Sequence, residues 1–324
     1  MPTSVTSPRH ARPRRRRGLT TLALGSALAT TVALAPADAA SARSLGDTAQ
    51  ASTTAAAAAS PLFFGGAGDV TTLTKMSGQT VATHSYGNFQ GGVPTGRMVT
   101  VNANGLPWRS VTAAAPGSAL HNDMIRWAKT IKARGGTILV AFGHEPEVSA
   151  KIKQGTAAEY RAAYRKVVDL FRAQGVTNVK WVYQATAWSY RVKSTDRIAA
   201  VNWYPGDAYI DVIGGDAYNW YTCGEGRSRD VPLSTIASGV LSFAKAHGKK
   251  AALPEFAAHS TVNRSAWLSA GYSWMKSNNA YFVAAFYFNR PPTNASNNDC
   301  AWSLKTSSEY TSYKSIVADA WTTS

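Results

Sequence analysis

Two glutamates close apolar segments of this sequence, and what they can do depends on whether they meet. Gly136 to Glu147 reads G-T-I-L-V-A-F-G-H-E-P-E, an unbroken apolar run from Ile138 to Phe142 followed at once by His144 and Glu145. Lys250 to Ala257 reads K-A-A-L-P-E-F-A and carries Glu255, about 110 residues further on. Ile, Leu, Val, Ala and Phe without alternation suit a parallel strand buried on both faces. Such a strand has no structural need for an acid at its carboxyl end, and in parallel α/β folds that end is where chemistry sits. Two carboxyl groups flanking a sugar can break a glycosidic bond. At about 5 Å one attacks the anomeric carbon while the other protonates the leaving oxygen, giving retention; at roughly 6.5–9.5 Å a water fits between them, giving inversion. A single strand-end glutamate can equally cap a helix or pair with an arginine. Two of them at equivalent positions favour catalysis.

Other chemistries fit less well. His144-Glu145-Pro146-Glu147 contains zinc-ligand types. Its spacing is not that of a helical H-E-x-x-H, Pro146 breaks any helix, and no second histidine cluster follows. There is no G-x-S-x-G nucleophile elbow. The expectation is a reaction needing no metal and no organic cofactor.

Around the acids, Trp108, Trp188, Trp220, Tyr221 and Tyr287 fall at or just beyond expected strand ends. Aromatic faces there would stack on sugar rings, burying large area at low entropic cost. Trp127, Trp267 and Trp274 lie on helix faces and read as core. Asp216 and Tyr218 alternate along an extended segment, so both would face inward, with Tyr218 placed to hydrogen-bond the nucleophile. The substrate-binding set expected is Trp108, His144, Trp188, Asp216, Tyr218, Trp220 and Tyr287.

The elements that would position these groups alternate along the chain. Strands are expected at Leu62 to Phe64, Val81 to Tyr86, Arg97 to Asn102, Ile138 to Phe142, Val179 to Tyr183, Tyr209 to Gly214, Lys250 to Ala257 and Tyr281 to Phe288. Helical faces lie between most of them: Leu120, Met124, Trp127 and Ile131 in one; Tyr160, Tyr164, Val167 and Phe171 in the next, opened by the capping box Thr156-Ala-Ala-Glu159; Ile236, Val240 and Phe243 in a third. The last helix spans Glu309 to Trp321. Eight βα units argue for α/β architecture closed into a single (β/α)8 TIM barrel. An open doubly wound sheet is the alternative, but no G-x-G-x-x-G follows the first strand. In the barrel the Glu145 strand is fourth and the Glu255 strand seventh, and both acids point into the mouth.

The first 39 residues stand apart. Arg14 to Arg17 form a basic start, Gly18 to Pro36 is Ala/Leu/Thr-rich, and Ala37-Asp38-Ala39 is an A-x-A cleavage signal. This reads as a signal peptide rather than a membrane anchor, with Sec or twin-arginine export to an extracellular location. Residues 40–60, rich in Ala, Ser and Thr, read as a disordered tether, and 61–324 as the catalytic barrel. The leader holds six arginines and one aspartate, so the formal charge of +16 becomes +11 without it. The remaining basic residues are scattered over helices, which reads as a solvated surface rather than a nucleic-acid site. Cys223 and Cys300 follow strands six and eight. In an oxidising compartment they would pair and brace the mouth. The loop closed would contribute on the order of 4 kcal/mol. The mature protein is expected to act as a monomer on a polysaccharide, without nucleic-acid or membrane partners.

The chain resembles glycoside hydrolase family 26, in its secreted actinobacterial branch. The resemblance rests on His144-Glu145, W-Y-P-G-D at Trp203 to Asp207, I-D-V-I-G-G-D-A-Y-N at Ile210 to Asn219, L-P-E-F at Leu253 to Phe256, and C-A-W-S-L-K-T-S-S after Asp299. It implies a retaining hydrolase with Glu145 as acid/base and Glu255 as nucleophile. His144, Asp216 and Tyr218 fall on the family's active-site motif positions. The activities implied are β-1,4-mannanase, with β-1,3-xylanase and mixed-linkage β-glucanase as rarer members. Where mannanases of the family carry a polar, Trp-containing segment after the acid/base, this chain has Pro146-Glu147-Val148-Ser149. A non-catalytic polysaccharide- or cell-wall-binding barrel is the alternative to an enzyme.

Overall fold

The computed structural model describes residues 60–292 and 300–324. The expected signal peptide, and the tether up to Ser60, lie outside the described residues.

Eight parallel strands form the barrel: β1 (Leu62–Gly68), β2 (Ala82–Asn88), β3 (Met98–Asn102), β4 (Ile138–Phe142), β5 (Val179–Thr186), β6 (Val212–Asn219), β7 (Lys250–Ala258) and β8 (Phe282–Asn289). Each pairs with the next, and β1 pairs with both β8 and β2, so the sheet closes on itself. The closing seam is short, Gly65 opposite Ala82 and Gly66 opposite Thr83. It requires glycine, since a Cβ at Gly65 would fall on the Ala82 carbonyl. A two-residue strand β9 (Thr322–Thr323) adds to the start of β1. This is a (β/α)8 barrel, with the Glu145 strand fourth and the Glu255 strand seventh, as the apolar runs imply.

Strand alternation divides the core into two layers. Inside the barrel sit Ala82, Met98, Leu139, Val182, Val212 and Phe286 with smaller neighbours. Between strands and helices lies a larger, aromatic layer that includes Phe64, Trp127, Phe142, Tyr160, Tyr164 and Phe171. Helix Ala157–Ala173 begins with the expected Thr156–Glu159 capping box, and helix Ser307–Val317 repeats the device with Thr306 and Glu309. Among the described residues no helix is long and apolar enough to cross a membrane.

Four expected elements differ, the last helix ending at Val317 and not reaching Trp321. The helix read through Ile236, Val240 and Phe243 is two pieces, Leu233–Ile236 and Ser238–Ala246, joined at Ala237. The sixth strand lies later than expected, because Asp207–Tyr209 is a 3₁₀ turn and extended pairing runs through Gly214-Gly215 to Asn219. Those glycines sustain the strand through fit: a Cβ at Gly214 would come 2.8 Å from Pro254 Cγ and Val182 Cγ1, and one at Gly215 would strike Val240. Finally, Trp108 starts a short helix, Trp108–Thr112, instead of lying in a loop.

Candidate active site

The Glu255 strand departs from simple alternation. Gly214 and Ala217 on β6 pair with Ala252 and Phe256 on β7, so four steps oppose three. On the other side, Leu253 and Phe256 pair with Ala285 and Tyr287, three steps opposing two. One extra residue is thus accommodated at Pro254-Glu255, a β-bulge. Leu253 and Phe256 both face the helix layer. Pro254 packs over the bare face of Gly214. Glu255 is buried, and two tyrosines donate to it: Tyr86 to Oε1 at 2.5 Å, and Tyr218 to Oε2. The Pro254 carbonyl, outside the regular ladder, faces His84 Nδ1 at 2.8 Å.

Glu145 is placed by a sharp turn at the end of β4. Gly143 has φ 59° and Glu145 φ 48°, left-handed conformations that are costly for a glutamate and typical of constrained functional positions. Its N–H donates to the Gln184 carbonyl at 2.8 Å, pinning the turn to β5. Gln184 Nε2 reaches both Asp216 carboxyl oxygens, at 2.9 and 3.1 Å. Thr100 Oγ1 sits 2.8 Å from Gln184 Oε1 and 2.8 Å from His84 Nε2. A polar layer from β2, β3, β5 and β6 therefore lies between the apolar lumen and the two glutamates.

The electrostatics of the two acids differ. Burial raises the Glu145 carboxyl to about 8, reinforced by the charges of Glu255 and Glu147. Burial also raises Glu255, but its two tyrosine donors oppose that and favour the carboxylate. Asp216 is raised well above the carboxylate range by burial, then by Glu255 and Glu145. Both carboxyls are raised, but only Glu255 has two hydroxyl donors that favour its carboxylate, an asymmetry that suits a nucleophile facing a general acid. Glu147, buried, accepts from Thr186 N–H at 2.7 Å and Thr186 hydroxyl at 2.8 Å. Among the described residues no group of three or more His, Cys, Asp or Glu side chains is placed to hold a metal ion.

The structure brings Glu145, Glu255, Asp216, Tyr218 and His144 into one region at the carboxyl ends of the strands. His144 lies beside the Tyr86 ring and not on the carboxylates. No hydrogen bond joins it to either glutamate; its ring meets Tyr86 edge-on at 5.7 Å, and burial, then Lys151, push it down to about 3. The second donor to Glu255 is instead Tyr86. Trp220 is half-buried, clustered with Tyr218 and Trp302, while Trp188 is 57 % exposed beyond β5 with the Arg191 guanidinium 5.7 Å from its ring centre.

Two expected ligand contacts are corrected. Trp108 is 1 % exposed, with its ring against Phe142 and Tyr160, because the helix it opens packs inward. Tyr287 is fully buried on the outer face of β8, packed on Phe256 and donating to the Trp302 carbonyl at 2.8 Å. Alternation gives the inner face to its neighbours: Phe286 lies in the lumen and Phe288 touches Tyr218. His84, Tyr86, Thr100, Gln184 and Trp302 escaped sequence reasoning. The signal for the first two is the alternation A-T-H-S-Y on β2, which puts His84 and Tyr86 on the face of Ala82. Cys223 and Cys300 form a disulfide, tying the segment after β6 to that after β8.

The family model described as glycosyl hydrolase family 26 matches residues 125–286, which include Glu145, Asp216 and Glu255. Endoglucanase H of Acetivibrio thermocellus is 26% identical over 211 residues, which are 63% of this chain and 22% of that protein. The chain therefore spans only about a fifth of that relative's length. Among solved structures, a family 26 β-mannanase from Bacteroides ovatus superposes with a TM-score of 0.53 at 16% identity, covering 80% of this chain and 88% of that one. The family 26 domain of an endo-β-mannanase/endo-β-glucanase from Prevotella bryantii gives 0.51 at 13% identity, covering 81% and 90%.

Proposed function

The chain belongs to glycosyl hydrolase family 26, and on that basis we propose that it is a secreted, retaining endo-β-glycanase acting on β-1,4-mannan-type polysaccharide. The observation that carries the reading is the pair of glutamates in unlike settings, Glu145 raised to about 8 and Glu255 with its carboxylate favoured by hydroxyl donors from Tyr86 and Tyr218. The structural neighbours described as mannanases and the endoglucanase relative support the substrate class, with mixed-linkage β-glucan and β-1,3-xylan as the other candidates.

In this mechanism the Glu255 carboxylate attacks the anomeric carbon as Glu145 gives its proton to the departing glycosidic oxygen. The sugar becomes an ester of Glu255, and Glu145 is left as a carboxylate. A water then gives one proton to Glu145 while its oxygen displaces Glu255, restoring both groups and the original anomeric configuration. Tyr86 and Tyr218 orient the nucleophile. Trp188 and Trp220 offer aromatic surface for sugar rings at the rim.

Hydrolysis of mannan, mixed-linkage β-glucan and β-1,3-xylan, followed as reducing ends for the mature protein beside Glu255→Ala, tests the proposal. Release from one polymer by the native protein and not by the variant is expected. No release from any, with retention of one polymer in a pull-down, would point to a binding barrel.

A further inference from the structure

The buried hydrogen-bond chain beneath the glutamates determines how many protons it must hold. It runs from the Pro254 carbonyl through His84, Thr100 and Gln184 to Asp216. The carbonyl only accepts, so His84 Nδ1 carries a hydrogen. Tyr86 does not replace it, because the single hydroxyl hydrogen of Tyr86 goes to Glu255. Each of the three links from His84 Nε2 onward then needs one hydrogen of its own.

At the lowest hydrogen count that makes every link, two arrangements satisfy all of them. In the first, Asp216 is ionised and accepts from the Gln184 amide nitrogen. Gln184 Oε1 accepts the Thr100 hydroxyl hydrogen, so the Thr100 oxygen must accept from His84 Nε2, and the imidazole is doubly protonated. In the second, Thr100 donates to a neutral His84 and the rotated Gln184 amide donates to Thr100. Gln184 Oε1 then accepts a hydrogen from Asp216, which is a carboxylic acid. Both arrangements contain the same number of hydrogens. An ionised Asp216 together with a neutral His84 has one fewer and leaves a buried link unmade, an unsatisfied polar group in the interior.

The surroundings select between the two. His84 is 2 % exposed, with Tyr86 at 4.3 Å and Phe286 at 5.6 Å between ring centres. Its titratable neighbours are Tyr86 and, beyond that ring, His144. Burial pushes the imidazole down to about 4. Asp216 is faced by Glu145 and Glu147 from the end of β4 and by Glu255 from β7, with Lys151 as a more solvated cation and the Tyr190 hydroxyl, itself donating to Gly214, below. Burial and these carboxylates both favour the proton on Asp216.

We propose that Asp216 is a neutral carboxylic acid at the protein's working pH, held so by the chain through Gln184 and Thr100 to His84. As a positioning residue it keeps a further negative charge out of the site while Glu255 stays ionised and Glu145 stays protonated. That catalytic consequence rests on the glycanase reading; the proton count does not.

The test is spectroscopic. Infrared spectra of the full protein with carboxyl-labelled aspartate, at a pH of about 6.5, are compared between native protein and Asp216→Asn. A protonated-carboxyl band lost in the variant is expected. Thr100→Val, which removes the middle link, should convert that band to a carboxylate one; a band that persists there would show that the chain is not what holds the proton. Nitrogen NMR of histidine-labelled protein, with His84 assigned by His84→Gln, should show a single protonated ring nitrogen that does not titrate near neutrality. A carboxylate signal for Asp216, or two protonated nitrogens on His84, overturns the proposal whether or not the protein hydrolyses anything. If it is active, the basic limb of kcat/KM for Asp216→Asn should stay in place whatever the rate, because the amide donates to Gln184 as the acid does. Loss of an ionised group there would instead lower that limb by about one pH unit.

Discussion

Replacing Glu145 with glutamine should raise stability in a way that depends on pH. In the folded protein the Glu145 carboxyl is raised from 4.5 to about 8 by burial and by Glu255 and Glu147. Below about pH 4.5 it is protonated in folded and unfolded chains alike, and it exacts no penalty. Between there and pH 8 the unfolded chain ionises while the folded one keeps its proton, so stability falls as pH rises. Above pH 8 the penalty is constant. A tenfold change in proton affinity is worth about 1.4 kcal/mol, which gives an upper bound of about 5 kcal/mol. Glu145 is partly open to solvent, and discounting for screening leaves about 2–3 kcal/mol. Glu145→Gln removes the penalty and keeps the shape. Urea unfolding near pH 4 should therefore show little difference between the two proteins. Near pH 8.5 the variant should be more stable by about 2–3 kcal/mol, a rise of several degrees in Tm. Hydrolysis should fall by about 10²–10⁴-fold with the loss of the acid. A stability difference that is the same at both pH values, or that favours the native protein at the higher one, would refute the reasoning.

Further outcomes follow from single contacts. Tyr218→Phe removes a donor that lowers Glu255, so the acidic limb of the pH–rate profile should move to higher pH and kcat/KM should drop by about 10²-fold. Glu147→Gln keeps an acceptor for Thr186 and deletes a charge that raises Glu145; the basic limb should move to lower pH. Replacing Cys223 and Cys300 with serine should reduce unfolding free energy by about 2–5 kcal/mol, read in denaturant, with the barrel retained.

Much of this fold was legible because its strands announce themselves. Ile138 to Phe142 is apolar throughout and is β4; Thr156 and Glu159 mark a helix start and form the capping box. Glutamates at two strand ends, with Asp216 and Tyr218 alternating on a third, sufficed to name the acidic centre. What escaped depends on contacts distant in sequence. Val81 to Tyr86 has weak strand character, so His84 and Tyr86 could not be ranked as site residues before β2 was known to pair with β1 and β3. Trp108 and Tyr287 were assigned to the mouth because they sit near strand ends. The facing of an aromatic ring is decided by helix packing and by single-residue alternation, and neither shows in composition.

The bulge at Pro254 has a bearing on stereochemistry. A regular strand can move an inward side chain only in steps of two residues, whereas an irregularity of one residue permits a half-step of about 3.3 Å. Such a half-step is comparable to the gap between the carboxyl spacings that yield the two anomeric outcomes. Deleting the Pro254 codon would restore even pairing with β6, leave the extra β8 residue between Phe282 and Ala284 uncompensated, and keep Glu255 facing inward, but sunk one residue deeper, away from its tyrosines. On the proposed glycanase mechanism, a single in-frame deletion therefore tests whether the depth of Glu255 sets the anomeric outcome. Proton NMR of the first anomer released by that variant would reveal which course it follows.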